Sequence, residues 1–167
     1  MLLEMRNLRD KEKDMSVRSV IMLRQPSGTH RGIYCHNDGY LEHNGVILQE
    51  CYNSFEKALE LIKLGDISML GKTIGKKHDF KEIVPEDEKG FEEWCTAYHR
   101  DRGEEFHASF YNDSAVDRAG DEYSFSYLFK DGEWLFREEK EWKPLKEVLE
   151  RKGLLAKEEE KGDMELS

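Results

Sequence analysis

The stretch Tyr34-Cys35-His36-Asn37-Asp38-Gly39-Tyr40, with His43 close behind, gathers imidazoles, a carboxylate, a thiol and two phenols in one short segment. Imidazole and carboxylate together suit a metal such as zinc or iron, so His36, Asp38 and His43 could ligate one. Their spacing matches no established metal motif. Ordinary turn chemistry is the competing reading: Asp38-Gly39 makes a turn, His36 bonds locally, and Tyr34 and Tyr40 pack. A second cluster is Tyr98-His99-Arg100-Asp101-Arg102-Gly103-Glu104. Guanidinium forks pair with phosphate or carboxylate, so Arg100 and Arg102 could hold an anionic ligand. Internal pairing with Asp101, Glu104 or Glu105 would satisfy them equally. Cys35 beside His36 suggests a nucleophile and its base. Adjacent strand residues point to opposite faces, however, so the thiol would need a partner from elsewhere, such as His99. There is no Gly-rich phosphate loop, GxSxG elbow or HExxH helix.

These residues need elements to position them. Val17 to Arg24 alternates with period 2 and reads as a strand; Gln25-Pro26-Ser27-Gly28-Thr29 is a turn, and Arg31 to His36 is the returning strand of a hairpin. A helical stretch follows, with Leu41, Ile47, Leu48, Cys51 and Tyr52 on one face. A second helix starts at Asn53, with Glu56 at capping-box spacing, and stops at Gly65. Asp66 to Leu70 reads as a short helical turn and 72–90 as a long irregular segment. Alternation from Trp94 to His99 predicts a third strand, Phe106 to Tyr111 another, and Asn112 to Asp121 a loop. Tyr123, Phe125, Tyr127 and Phe129 alternate with Ser124, Ser126 and Leu128, then Asp131-Gly132 turns the chain into Trp134-Leu135-Phe136. Asp-Gly between alternating runs is a strong hairpin signal, because both turn residues need positive φ. The aromatic stripe could stack bases, but such a stripe is more often a core face. Pro144 opens a last helix carrying Leu145, Val148 and Leu149. Together these predict an α+β fold: an antiparallel sheet built from hairpins, with two to three helices packed on one face.

The chain has 167 residues and a net charge of −10, enough length for one domain with one core. Acidity disfavours nucleic acid as a partner, since phosphate needs a basic surface, and suits either plain solubility or a basic protein surface. No apolar run reaches the ~18 residues needed to span a bilayer, so no membrane partner is expected. Three cysteines without CxxC spacing read as reduced thiols in a cytoplasmic protein. Residues 1–14 are a charged extension with no signal-peptide core. Translation starting at Met15 would make them non-native, and the intact mass of the natively expressed protein decides this. The domain is expected over 15–153, with 154–167 a charged, disordered tail.

Four segments, taken in order, carry a resemblance. They are Arg18-Ser19-x-Ile21; Ile33-Tyr34-Cys35-His36-x-Asp38-Gly39-Tyr40; Leu64-Gly65-Asp66-Ile67-Ser68-x-Leu70-Gly71; and Ala97-Tyr98-His99-Arg100-Asp101-Arg102-Gly103-Glu104. Over roughly Met15 to Phe136 the chain resembles a family of small phage and prophage proteins of no settled activity. Val17 stands where that family has Thr, and Asn37 where it has Trp. The resemblance implies a virus-encoded accessory protein acting in the host cytoplasm on host enzymes or host defence.

The expected function is therefore a non-catalytic binding module, more a binder than an enzyme, with no cofactor. It would sequester a small anionic, nucleotide-like ligand or block a host protein. His36, Asp38, Tyr40, His99, Arg100 and Arg102 would line the site. The alternative is a metal-dependent phosphoester hydrolase in which His36, Asp38 and His99 hold the ion. Inhibition of a protein through the acidic surface alone is a third reading. The sequence leaves a homo-oligomer open.

Overall fold

The computed structural model describes residues 16–155; the extension at 1–14, its Met15 start and the tail beyond 155 lie outside the described residues. The elements follow in chain order. Strands β1 (Ser19–Arg24) and β2 (His30–Cys35) precede a π turn (Leu41–Gly45), α1 (Val46–Cys51) and α2 (Phe55–Ile62). Then come β3 (Ile67–Met69), β4 (Thr96–Ala97), α3 (Tyr98–Arg102), β5 (Ser109–Tyr111) and α4 (Asp113–Glu122). The chain closes with β6 (Phe125–Lys130), β7 (Glu133–Glu138), β8 (Glu141–Pro144) and α5 (Leu145–Arg151).

The eight strands form one sheet in the order β4-β3-β2-β1-β6-β7-β8, with β5 also pairing β2. The expected α+β class holds, but the sheet is mixed rather than antiparallel. β1 runs parallel to β6, and β2 parallel to β3. The two predicted hairpins lie side by side, joined through their first strands. Their turns are as the sequence requires: Asp131 and Gly132 take φ of 52° and 83°, and Lys130 faces Glu133.

Among the described residues there are five α-helices rather than two or three, and they do not share one face. β1 sits at the centre and is buried on both sides. Ile21 and Leu23 point into the main core under α1, α2 and α5, together with Ile33, Leu48, Leu61, Tyr127, Trp134 and Leu149. Val20 and Met22 point the other way, against Val116 and Ala119 of α4 and against Leu128. The segment expected to be a loop at 112–121 is that helix, α4. The Asn112 side chain caps it by accepting from the Ala115 N–H at 2.9 Å.

Three further expectations change. Ser54, not Asn53, caps α2: its hydroxyl accepts from the Lys57 N–H. Asp66 to Leu70 is not a helical turn but contains β3, held between Cys35 of β2 and Ala97 of β4. The predicted strand Trp94–His99 keeps only Thr96–Ala97 and then coils into α3, which Gly103 ends at φ 73°. At the other end, Leu154 and Leu155 pack half-buried against the main core rather than joining a free tail.

The segment expected to be irregular at 72–90 has no helix or regular strand, and the irregular path runs on to Trp94, yet it is firmly seated. Tyr52 donates its hydroxyl to the Gly71 carbonyl at 2.7 Å, and the Gly71 N–H reaches Cys95 Sγ at 3.3 Å. A Cβ on Gly71 would stand 2.2 Å from the Trp94 carbonyl carbon, so only glycine permits this approach.

Candidate functional site

Two neighbourhoods hold the chemically capable side chains. The first is built at the turn after β2. Gly39 is wedged against β1, where a Cβ would come 2.6 Å from Ser19 Cβ. Its N–H donates to the Val17 carbonyl at 2.8 Å, and its carbonyl accepts the buried Tyr127 hydroxyl at 2.6 Å. With the loop so held, the chain enters α1 through the π turn, whose wide bond from the Gly45 N–H to the Tyr40 carbonyl measures 3.4 Å. The extra residue of a π turn brings consecutive side chains inward. Both His43 and Asn44 are buried there.

Asn44 is wholly enclosed. Its Nδ2 donates to Ser19 Oγ at 3.2 Å and to Cys35 Sγ at 3.4 Å, which turns Oδ1 toward His43 Nδ1 at 2.8 Å. An amide oxygen only accepts, so His43 carries its proton on Nδ1. The opposite nitrogen, Nε2, lies 2.8 Å from Glu92 Oε2. Asp38 completes a group whose donor atoms all lie within 4.8 Å of one another. Burial alone would lower the His43 pKa, but Glu92, Asn44 and Asp38 outweigh it and raise it. Tyr40 and Phe91 flank the ring, with centroids at 6.2 and 5.5 Å. Burial, then the negative charge of Asp38 and the hydrogen bond with it, raises the Tyr40 pKa.

The second neighbourhood is a cleft of about 220 Å³ lined by Tyr34, Asp66, Tyr98, His99, Glu104, Glu105 and His107. The Tyr34 hydroxyl lies 2.6 Å from His36 Nδ1, and its N–H donates to Asp66 Oδ1 at 2.9 Å. The other Asp66 oxygen meets His107 Nδ1 at 2.7 Å. His99 is exposed; its Nδ1 sits 2.8 Å from the Glu104 carbonyl, and its ring meets Phe106 edge-on. Arg102 lies over the faces of Phe80 and Tyr98, at 4.4 and 5.0 Å, and pairs with Glu104.

The six residues expected to line one site therefore divide. Asp38 and Tyr40 belong to the His43 group. His99 lines the cleft, His36 reaches it only through its bond with Tyr34, and Arg102 packs at its rim against Tyr98 and Glu104. Arg100 turns inward. Its guanidinium donates to the Ile74 carbonyl at 2.7 Å, the Cys95 carbonyl at 2.8 Å and both oxygens of Asp101 at 3.0 and 3.1 Å. Asp101 in turn accepts from the N–H groups of His78 and Ala97 at 3.1 and 2.8 Å. Burial alone would raise the Asp101 pKa; Arg100 and these N–H groups hold it below the usual value. The expectation of an anion on Arg100 gives way to internal pairing, because four of the five N–H donors of its fork already meet acceptors within the fold.

The metal trio His36, Asp38 and His99 is replaced in the same way. Among the described residues, the group that converges is Asp38, His43 and Glu92. Glu92 carried no signal in the sequence, since it comes from the irregular segment and meets His43 only through the fold. Cys35 is not a reactive nucleophile. It is fully buried, its thiol points at the Asn37 carbonyl at 3.3 Å, and burial pushes its pKa up to about 12. The aromatic stripe of β6 serves the core, as Tyr127 and Phe129 are buried there.

No helix among the described residues is long and apolar enough to cross a membrane. No protein-family model, curated protein or solved structure matches the chain.

Proposed function

We propose that the protein is a phage-encoded accessory protein that acts in the host cell by binding, and that its cleft takes a positively charged side chain of a host protein. The observation that carries this reading is the cleft's lining: the tyrosines Tyr34 and Tyr98, with the carboxylates of Asp66, Glu104 and Glu105. A cation over an aromatic face is attracted by the ring quadrupole, by about 0.5–2 kcal/mol according to solvation. Nearby carboxylates add to that attraction and repel a phosphate. His107 balances one of the acids when protonated, and Arg102 balances another. Glu105 has no ion pair of its own among the described residues. The net charge of −10 favours approach to a basic surface over long range. The blocking of a host protein is thus kept from the sequence reading, and the anionic ligand is exchanged for a cationic group.

The test is a titration of the full chain, followed by amide NMR shifts, with an arginine-rich peptide and separately with ATP. The expected result is saturable shifts at residues 98–107 with the peptide only. They weaken with salt, because exposed charges are screened beyond about 10 Å at 0.1 M. Glu105→Gln and Tyr98→Ala should each weaken the peptide. Saturable binding of ATP in the cleft, or peptide shifts that are indifferent to both variants, would overturn the reading.

A further inference from the structure

The group at the π turn has a composition that an ion pair alone does not require. A buried histidine paired with Glu92 needs one carboxylate; here Asp38 converges on the same point. With Nε2 deprotonated, the donors Asp38, His43 and Glu92 together carry two negative charges, which a divalent cation neutralises. The second feature lies outside these three residues. Asn44, fully buried and itself fixed by Ser19 and Cys35, holds Nδ1 as a donor and so presents Nε2 as the ligating nitrogen. Metal-bound histidines are characteristically oriented in this way, by an acceptor on the other ring nitrogen.

We propose that Asp38, His43 and Glu92 form a binding site for a first-row divalent metal ion, with Asn44 as the residue that positions His43. One imidazole and two carboxylates suit Zn²⁺ or Mn²⁺ better than the all-oxygen shell that Mg²⁺ prefers. Zn²⁺ binds more tightly than Mn²⁺. Ligand bonds of about 2.0–2.2 Å put tetrahedral donors about 3.4 Å apart, so the widest pair here closes by no more than about 1.5 Å on binding. The ion takes the place of the proton lying between His43 Nε2 and Glu92, and that proton is released to solvent. Three protein donors leave coordination positions for water or for a ligand atom. This inference is independent of the cationic cleft: the two sites share no residue.

The test uses the full chain, freed of metal by chelator dialysis and titrated calorimetrically with Zn²⁺, Mn²⁺ and Mg²⁺. One equivalent of Zn²⁺ should bind, followed by Mn²⁺ and then Mg²⁺ in order of affinity. Asp38→Asn and Glu92→Gln should each weaken Zn²⁺ at least about ten-fold. Both positions are partly exposed and both replacements are near-isosteric, so near-UV circular dichroism should match that of the wild-type chain. Co²⁺ should give visible d–d bands that Glu92→Gln alters. Absence of stoichiometric Zn²⁺ uptake by about 100 µM overturns the site and leaves a buried ion pair. Equal uptake by the wild-type chain and both variants also overturns it, by placing the metal elsewhere.

Discussion

Replacing Arg100 with alanine separates its structural role from ligand binding. The change removes the counter-ion of a carboxylate whose side chain has no exposure, and it strips the Ile74 and Cys95 carbonyls of their donor. Breaking a buried pair from one side costs about 3–5 kcal/mol. Arg100 keeps a little exposure, 17% of its side chain, so water partly replaces it and the lower end applies, about 3 kcal/mol. For a chain of this size that is a fall in Tm of about 6–12 °C. Arg100→Lys should recover little, because an ammonium cannot reach two carbonyls and two carboxylate oxygens at once. Arg102→Ala is the control: it loses an exposed ion pair and stacking on Phe80 and Tyr98, about 1 kcal/mol together. Urea unfolding followed by tryptophan fluorescence measures both, provided the m-values agree.

Acid adds an independent arm to the same experiment. The Asp101 carboxyl binds protons less readily folded than unfolded. Its contribution is therefore complete above its ordinary value of 3.8 and is lost as pH falls through the lower folded value. That loss should shift to higher pH in Arg100→Ala. An Arg100→Ala chain within about 1 kcal/mol of the wild type, or with an unchanged acid limb, would refute the reasoning.

Three other outcomes follow from the backbone and the thiols. Lys140 is exposed at φ 63° in the turn between β7 and β8, so Lys140→Gly should stabilise by about 1 kcal/mol, read as a higher urea midpoint. Gly71→Ala must push the Trp94 backbone away and should cost about 3 kcal/mol or more, measured by the same unfolding curves. Cys35 and Cys95 are fully buried with raised pKa values, so iodoacetamide at mild alkaline pH should label them only after denaturation, as peptide mass spectrometry would show.

Both hairpins were legible in the sequence because turn chemistry and alternation are local. So were α1, α2 and α5, whose apolar stripes have helical spacing. α4 was not legible: Val116 and Ala119 are its buried apolar contacts, a stripe too small to stand out from a polar loop. β3 reads as a turn because Gly65 and Gly71 bracket it, and it becomes a strand only when β2 and β4 flank it. Parallel pairing of β1 with β6 leaves no local trace at all. The same holds for function. Asp38, Tyr40 and His43 were visible because they share one turn, whereas Glu92 joins them from a segment with no pattern. Arg100 and Arg102 look alike in sequence, and only the position of α3 beside Ile74 and Cys95 tells them apart.

The parallel pairing of β1 with β6 sets an order of events during synthesis. Ser19 faces Phe125, so the central seam of the sheet joins residues separated by most of the domain. The β1–β2 hairpin can close as soon as it emerges, but its other edge stays open until β6 is made about a hundred residues later. At about 5–20 residues per second, that leaves an apolar, unpaired strand edge exposed for about 5–20 s in every nascent chain. A fragment ending before β6 keeps that edge permanently. The protein should therefore fold late and as a whole, with its yield governed by how long that one edge is kept from pairing with another chain.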